Sequence, residues 1–387
     1  VRILWLSNAP WVPSGYGEQT RQVAEQMQAD GHTVAVACNF GLQGSQVAWH
    51  GTTCYPSDGV WGNDTLGVYA DDHRADLVIA LCDAWVLQPD RWPFGLEVAV
   101  WAPVDHEPLP PAVRNVLGHE QVTPVAMSRF GERMMQDAGL DPLFVPHGID
   151  TGLFQPRPEL RDQVRDELEI PRDAFLAGMV AANVGNPSVI RKGWPAAFEA
   201  FSRFADAHGD AFLYAHSHSA PSPARGGISL DKLADAVGCR PGSVRFPNDR
   251  TLALGVDREQ MAALYQAFDC LLMVSMGEGF GVPLIEAEAS GVPVITSDHS
   301  SMPELVGAGW PVAGDPWWDA LQDSFLHAPS HDAVHEALEA AYTARGDQLL
   351  RRRAVAFAAD YDADTVYSDY WKPALEALAG SRLAVVS

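Results

Sequence analysis

Lysine is almost missing from this chain: Lys192, Lys232 and Lys372 are the only three in 387 residues, so nearly all of its 26 basic side chains are arginines. Positive charge is scarce in general. Fifty acidic residues leave a formal net charge of -24, a field that repels a nucleic-acid duplex or an anionic lipid surface, and nucleic acid is therefore not an expected partner. Cysteine is sparse as well. Cys38, Cys54, Cys82, Cys239 and Cys270 are odd in number, scattered and without a C-x-x-C pair, which argues against a disulfide or zinc framework and for a reducing compartment. No apolar run approaches the roughly 20 residues of a membrane-crossing helix. The amino-terminal residues show neither the basic start nor the small-residue cleavage pattern of an export signal. Together these absences lead to the expectation of a cytoplasmic protein with no membrane span.

What is present is an ordinary globular composition, 47% hydrophobic and 20% charged, at a length above the roughly 250–300 residues where one core stops growing. Two domains are expected. Arg2 to Leu6 reads as a buried strand, followed by a loop, a helical pattern at Thr20, Val23, Ala24 and Met27, and a second strand at Thr33 to Cys38. Later apolar runs repeat the theme at 77–81, 96–101, 123–127 and 143–146. A proline-containing crossing and a charged helix near 158–168 then lead into another such series, with strands at 175–180, 211–215, 243–246, 270–274 and 292–296. Strands alternating with helices imply doubly wound parallel sheets. The expected division is residues 1–155, joined by a terminal helix 365–387, and residues 156–364.

The most informative segment is Ser275 to Glu286, which follows a strand, contains Gly277, Gly279 and Gly281, and opens a helix with Pro283 in its first turn. Backbone N–H groups in such a loop, with the positive end of the helix dipole behind them, bind phosphate without needing basic side chains. Glu278 and Glu286 lie eight residues apart, on the order of 12 Å along a helix. That exceeds the roughly 5 Å at which two carboxylates of a retaining glycosidase act on one bond. The pair is better spaced to hold two ends of a long ligand, a hexose at one and a ribose at the other, with a pyrophosphate over the glycines between them.

At Glu278-Gly-Phe-Gly-Val-Pro-Leu-Ile-Glu286 the chain resembles the retaining glycosyltransferases of family four, whose Glu-x7-Glu signature has this form. The resemblance implies the GT-B fold, two Rossmann-like domains facing across a cleft. It implies that Glu278 contacts the donor sugar, that Phe280 and Gly281 present amides to it or its phosphate, and that Glu286 binds the ribose; Gly279 and Val282, in the same loop, complete the expected donor-binding set. Gly15 and Gly17, in the loop after the first strand, stand where the family has a glycine loop near the donor. Val145-Pro-His-Gly-Ile-Asp150 and Ser301-Met-Pro-Glu304 resemble further family segments. The family has an arginine several residues before a Lys-Gly pair. Here Asn183 stands near the arginine position, and Arg191 directly precedes Lys192. Lys192, with Arg191 as the second charge, is the candidate for stabilising the leaving diphosphate, since such electrostatic stabilisation is usually the largest catalytic contribution. His106, with Asp105, falls where the family places a histidine at the donor sugar.

These readings converge on a metal-independent, retaining hexosyltransferase with no cofactor beyond its nucleotide-sugar donor. The acceptor, whether glycan, lipid-linked, small molecule or protein, is left open. Asp362-Ala-Asp364 spells the Asp-x-Asp that metal-dependent glycosyltransferases of another fold use, but it lies in a helical tail and not after a strand. A non-catalytic nucleotide-sugar-binding protein is the alternative from another class, and a GT-B epimerase or phosphorylase the alternative on the same scaffold. An NAD-dependent oxidoreductase is disfavoured, because Thr20 and Asn39 occupy the places where its fingerprint needs a small and an acidic residue.

Overall fold

The computed structural model describes residues 1–223 and 226–385. The chain forms two compact α/β units. The first comprises Val1–Gly148, Ala320–Ser324 and the chain from Ala363 onward; the second comprises Ile149–Asp319 and Phe325–Asp362. Of the terminal segment expected to be helical, a helix covers Lys372–Val385, and residues 386 and 387 lie outside the described residues.

The first unit is built on an eight-stranded sheet. In chain order its strands are β1 (Arg2–Asn8), β2 (Thr33–Phe40), β3 (Val47–Trp49), β4 (Thr52–Tyr55), β5 (Leu77–Leu81), β6 (Val98–Ala102), β7 (Val122–Ala126) and β8 (Leu143–Phe144). Their spatial order is β3-β4-β2-β1-β5-β6-β7-β8, parallel except for β3 against β4. Helices cover both faces of the central strands, so β5 and β6 are buried at every position and read as unbroken apolar runs. Trp5 on β1, Trp101 on β6 and Trp371 from the carboxyl-terminal segment form one buried aromatic cluster, with centroids 4.9–6.2 Å apart. The Trp5 indole N–H donates to Thr20 Oγ1 and the Trp101 indole to the Val145 carbonyl, so neither buries an unmet donor.

The second unit carries six parallel strands: β9 (Phe175–Val180), β10 (Ala211–His216), β11 (Val244–Arg245), β12 (Cys270–Met273), β13 (Val294–Ser297) and β14 (Gly309–Val312). Their order is β11-β10-β9-β12-β13-β14. Gly178 in β9 has a packing reason, because a Cβ there would sit 2.2 Å from the Phe268 ring. Helix Trp194–Ala207 lays Phe198, Phe201 and Phe204 on this sheet and packs against helix His331–Thr343. Arg165, fully buried, is stabilised by Asp269 and by the carbonyls of Ala174 and Ala267. A two-stranded sheet, β15 (Gly314–Asp319) and β16 (Ser324–Pro329), follows β14. Its sequence carries no strand signal, because Pro316, two aspartates and exposed Trp318 and Phe325 do not make an apolar alternation.

Candidate active site

In an open parallel sheet, ligands bind beyond the carboxyl ends of the strands where the strand order reverses. In the second unit the chain runs outward from β9 through β10 to β11 and returns to β12 on the other side of β9, so the reversal lies between β9 and β12. The loop after β9 carries Arg191 and Lys192, and the loop after β12 carries Glu278. These loops meet. Lys192 Nζ lies 2.5 Å from Glu278 Oε1, and Arg191 Nη1 lies 3.2 Å from Oε2. Arg191 also donates to the Gly277 carbonyl at 2.5 Å, and its own carbonyl accepts from the Met276 amide at 2.7 Å.

Burial works against a charge on Glu278. Lys192 and Arg191, with hydrogen bonds from Lys192 and from Ser275 Oγ at 2.6 Å, outweigh it and hold the carboxyl below its ordinary value. The result is a carboxylate that stays ionised beside two cations, in a chain otherwise dominated by negative charge.

Small polar residues shape the loop. Ser300 Oγ accepts from the Glu278 amide at 3.0 Å, and Ser297 Oγ donates to the Ser275 carbonyl at 2.6 Å. Ser301 Oγ lies 2.7 and 2.6 Å from the carbonyls of Glu278 and Phe280, sharing one proton between them. In the sequence, Ser275, Ser297 and Ser300 carry no signal beyond a hydroxyl at or past the end of a buried strand. Gly281, at φ +114, turns the chain into helix Val282–Ala289, with Pro283 in the first turn. The backbone from Gly279 to Val282 therefore leads into the positive end of that helix. Phe280 is buried, its ring edge-on to Tyr361 at 5.9 Å.

Glu286, on the second turn of the helix, accepts a hydrogen bond from Tyr265 Oη at 2.7 Å. Burial and then the Glu286 carboxylate push the Tyr265 hydroxyl well above its ordinary value, so it remains a proton donor. Tyr265 lies 21 residues away on another helix, and no local pattern marked it. Gly193 completes the cation loop. It sits at φ +68, and a Cβ there would lie 1.9 Å from the Val274 carbonyl. Asn183, at the position where the resemblance places an arginine, instead joins the His218 and Ile228 backbone through its side-chain amide.

The first unit holds the remaining candidates at the carboxyl ends of its own strands. Gly15 and Gly17 open helix Gly15–Ala29 after β1. The Gly17 amide donates to the capping Ser14 hydroxyl, and a Cβ at Gly17 would lie 2.2 Å from the Val12 carbonyl, whereas Gly15 has nothing within 4 Å. Tyr16 Oη donates to Asp83 Oδ1 at 3.3 Å across the reversal between β1 and β5. After β6, Asp105 Oδ1 lies 2.7 Å from Nδ1 of the buried His106. A carboxylate there favours a proton on Nδ1. Trp11, Trp61 and Trp85 of this unit are exposed and do not fill its core.

The structure thus joins Arg191, Lys192 and Glu278 in one cluster, pairs Glu286 with Tyr265, and pairs Asp105 with His106. Asp362 accepts from Thr151 Oγ1 and Asp364 from Gln26 Nε2. Among the described residues, no group of three or more His, Cys, Asp or Glu side chains is arranged to hold a metal ion, and no helix is long and apolar enough to cross a membrane.

Residues 245–344 match the family model of glycosyl transferases group 1. The matched stretch includes the Glu278 loop and Glu286 but not Arg191 and Lys192. No curated protein matches the chain. Among solved structures it is similar to sucrose-phosphate synthase from Thermosynechococcus elongatus, at 15% identity over 98% of this chain and 99% of that one, with a TM-score of 0.75. It is also similar to a glycosyltransferase from Rickettsia africae ESF-5, at 14% identity over 97% of each chain (TM-score 0.69). A third likeness is to Anabaena HepE in complex with UDP-glucose, at 16% identity over 97% of this chain and 99% of that one (TM-score 0.67). The fold is GT-B, with two parallel-sheet α/β domains.

Proposed function

We propose that this chain moves a hexose from a nucleotide-diphosphate sugar to a hydroxyl acceptor, with retention of anomeric configuration and without a metal ion. The observation that carries the reading is the cluster of Lys192 and Arg191 on Glu278 at the β9/β12 reversal, directly ahead of a helix amino terminus. The family match over 245–344 supports glycosyl transfer, and the UDP-glucose in the HepE structure supports a nucleotide sugar as donor.

In this reading the diphosphate lies over Gly279 to Val282, where the backbone amides and helix dipole receive it. As the bond from the anomeric carbon to the phosphate oxygen breaks, Lys192 and Arg191 take up the charge that collects on the leaving diphosphate. The acceptor oxygen bonds to the anomeric carbon on the same face, and its proton passes to the departing phosphate. Glu278 holds the sugar while positive charge develops on it. Glu286, oriented by Tyr265, holds the ribose. In the first unit, Gly15, Gly17, Asp105 and His106 remain the candidates for donor recognition.

The test is to screen nucleotide sugars for thermal stabilisation, where a ligand at 100 times its dissociation constant adds about 2.7 kcal/mol. The best donor is then assayed with candidate acceptors in excess chelator, and the product anomer is read by NMR. Retained configuration and undiminished turnover are expected. Loss of activity in chelator, or an inverted product, would overturn the respective part of the proposal.

A further inference from the structure

A cavity of about 480 Å³ opens in the second unit on the side away from the cluster just described. Its lining includes Ala174, Asp269 and Gly291, which precede β9, β12 and β13. In a parallel sheet this is the amino edge, whereas Lys192 and Glu278 follow carboxyl ends. The volume falls within the roughly 300–1,000 Å³ of small-molecule sites.

Its chemistry is opposite to that of the chain as a whole. Five arginines line it against two carboxylates, Asp173 and Asp269, in a protein of net charge -24. Three of the arginines are committed elsewhere: Arg161 to Asp269 and the carbonyls that end helix Arg258–Gln266, Arg172 to Asp166, and Arg345 to Asp210. Two are less so. Arg351 donates to the Gly291 carbonyl at 3.0 Å, but its approach to the shared Asp269 is 3.8 Å. Arg352 is exposed and has no ion-pair partner among the described residues. Burial, and then the neighbouring Arg161, hold the Arg351 guanidinium below its ordinary value against the pull of Asp269.

An independent observation points to a ligand. Ser290 lines the same cavity, is 3% exposed, and its hydroxyl makes no hydrogen bond. Buried hydroxyls nearly always have a partner, because leaving one unmet sacrifices the full desolvation energy. A phosphate group offers three acceptor oxygens, enough to take hydrogen bonds from a serine hydroxyl and from guanidinium groups.

We propose that this cavity is a second ligand site, separate from the donor site, that takes a phosphomonoester of sugar size, with Arg351, Arg352 and Ser290 on the phosphate. A concave pocket of this volume suits a small molecule and not a phosphorylated peptide. Ser290 also ends the helix whose first turn follows the Glu278 loop.

Calorimetry of the full chain with glucose 6-phosphate, and with glucose as the uncharged control, tests this. Glucose 6-phosphate should bind and glucose should not. Arg352→Glu and, separately, Ser290→Ala should weaken glucose 6-phosphate, the former by ~10- to 100-fold, the worth of one hydrogen bond to a charged group. Lys192→Ala should leave it unchanged. Arg352 is exposed, so its variant is expected to fold, and circular dichroism of both variants verifies this. No binding of glucose 6-phosphate, equal binding of glucose, or binding lost in Lys192→Ala but kept in Arg352→Glu would each overturn the proposal. The last outcome would place the phosphate at the donor site instead.

Discussion

Glu278→Gln keeps the shape of a side chain that is 10% exposed while removing the charge that Lys192 and Arg191 face at 2.5 and 3.2 Å. Its consequences for stability, binding and turnover point in different directions. Breaking a fully buried ion pair by removing one partner costs about 3–5 kcal/mol. Here the stranded cations are 19% and 35% exposed and retain some water, so a smaller loss of about 1–3 kcal/mol in unfolding free energy is expected. Nucleoside diphosphate affinity should not fall. Glu278 competes with the diphosphate for the same two cations, and removing that competition should leave affinity unchanged or tighten it by up to about tenfold, equivalent to ~1.4 kcal/mol. Turnover at saturating donor should drop by ~10- to 1000-fold, because a carboxylate acting on a developing positive charge contributes mainly in the transition state. Calorimetry with the nucleoside diphosphate, denaturant unfolding and steady-state rates measure the three quantities on one preparation. Weakened diphosphate binding as severe as that of Lys192→Ala would refute the reasoning, since it would mean Glu278 builds the phosphate site and does not compete with it.

Three further outcomes follow from single contacts. Tyr265→Phe removes the hydroxyl that orients Glu286 and should weaken nucleoside diphosphate binding by about 0.5–1.5 kcal/mol while leaving turnover at saturating donor intact; calorimetry and initial rates separate the two. Gly193→Ala drives a methyl against the Val274 carbonyl at a left-handed backbone position and should destabilise the chain by about 3 kcal/mol or more in denaturant melts; wild-type stability would show that the loop relaxes freely. Glu288 accepts from the Gly307 and Ala308 amides, and burial, opposed by those bonds, pushes its carboxyl from 4.5 up to about 8. The folded chain therefore keeps a proton that the unfolded chain has lost between those values. Stability from this group should fall as pH rises from 4.5 through 8, and Glu288→Gln should flatten that slope in melts taken at either side of the window.

The sheets were legible in the sequence because strands covered on both faces must be apolar at every position. Leu77–Leu81 and Phe175–Val180 form the strands their composition predicts. β3, with Val47 and Ala48 exposed, and the pair β15 and β16 carry no such constraint and were not anticipated. The Ser275–Glu286 loop was legible for a related reason: its glycines, Pro283 and the strand before it all act locally.

Features set by neighbours along the chain, namely α/β alternation, the glycine turn into a helix and a strongly negative charge balance, can be read without the fold. Which of the 26 basic residues meet which of the 50 acidic ones is a matter of the fold. Lys192 and Glu278 lie 86 residues apart, Arg161 and Asp269 lie 108 apart, and Tyr265 reaches Glu286 from a different helix. Each meeting is set by the order of strands in a sheet. That order depends on the packing of whole helices and strands, and it leaves no periodic trace at the residues it brings together.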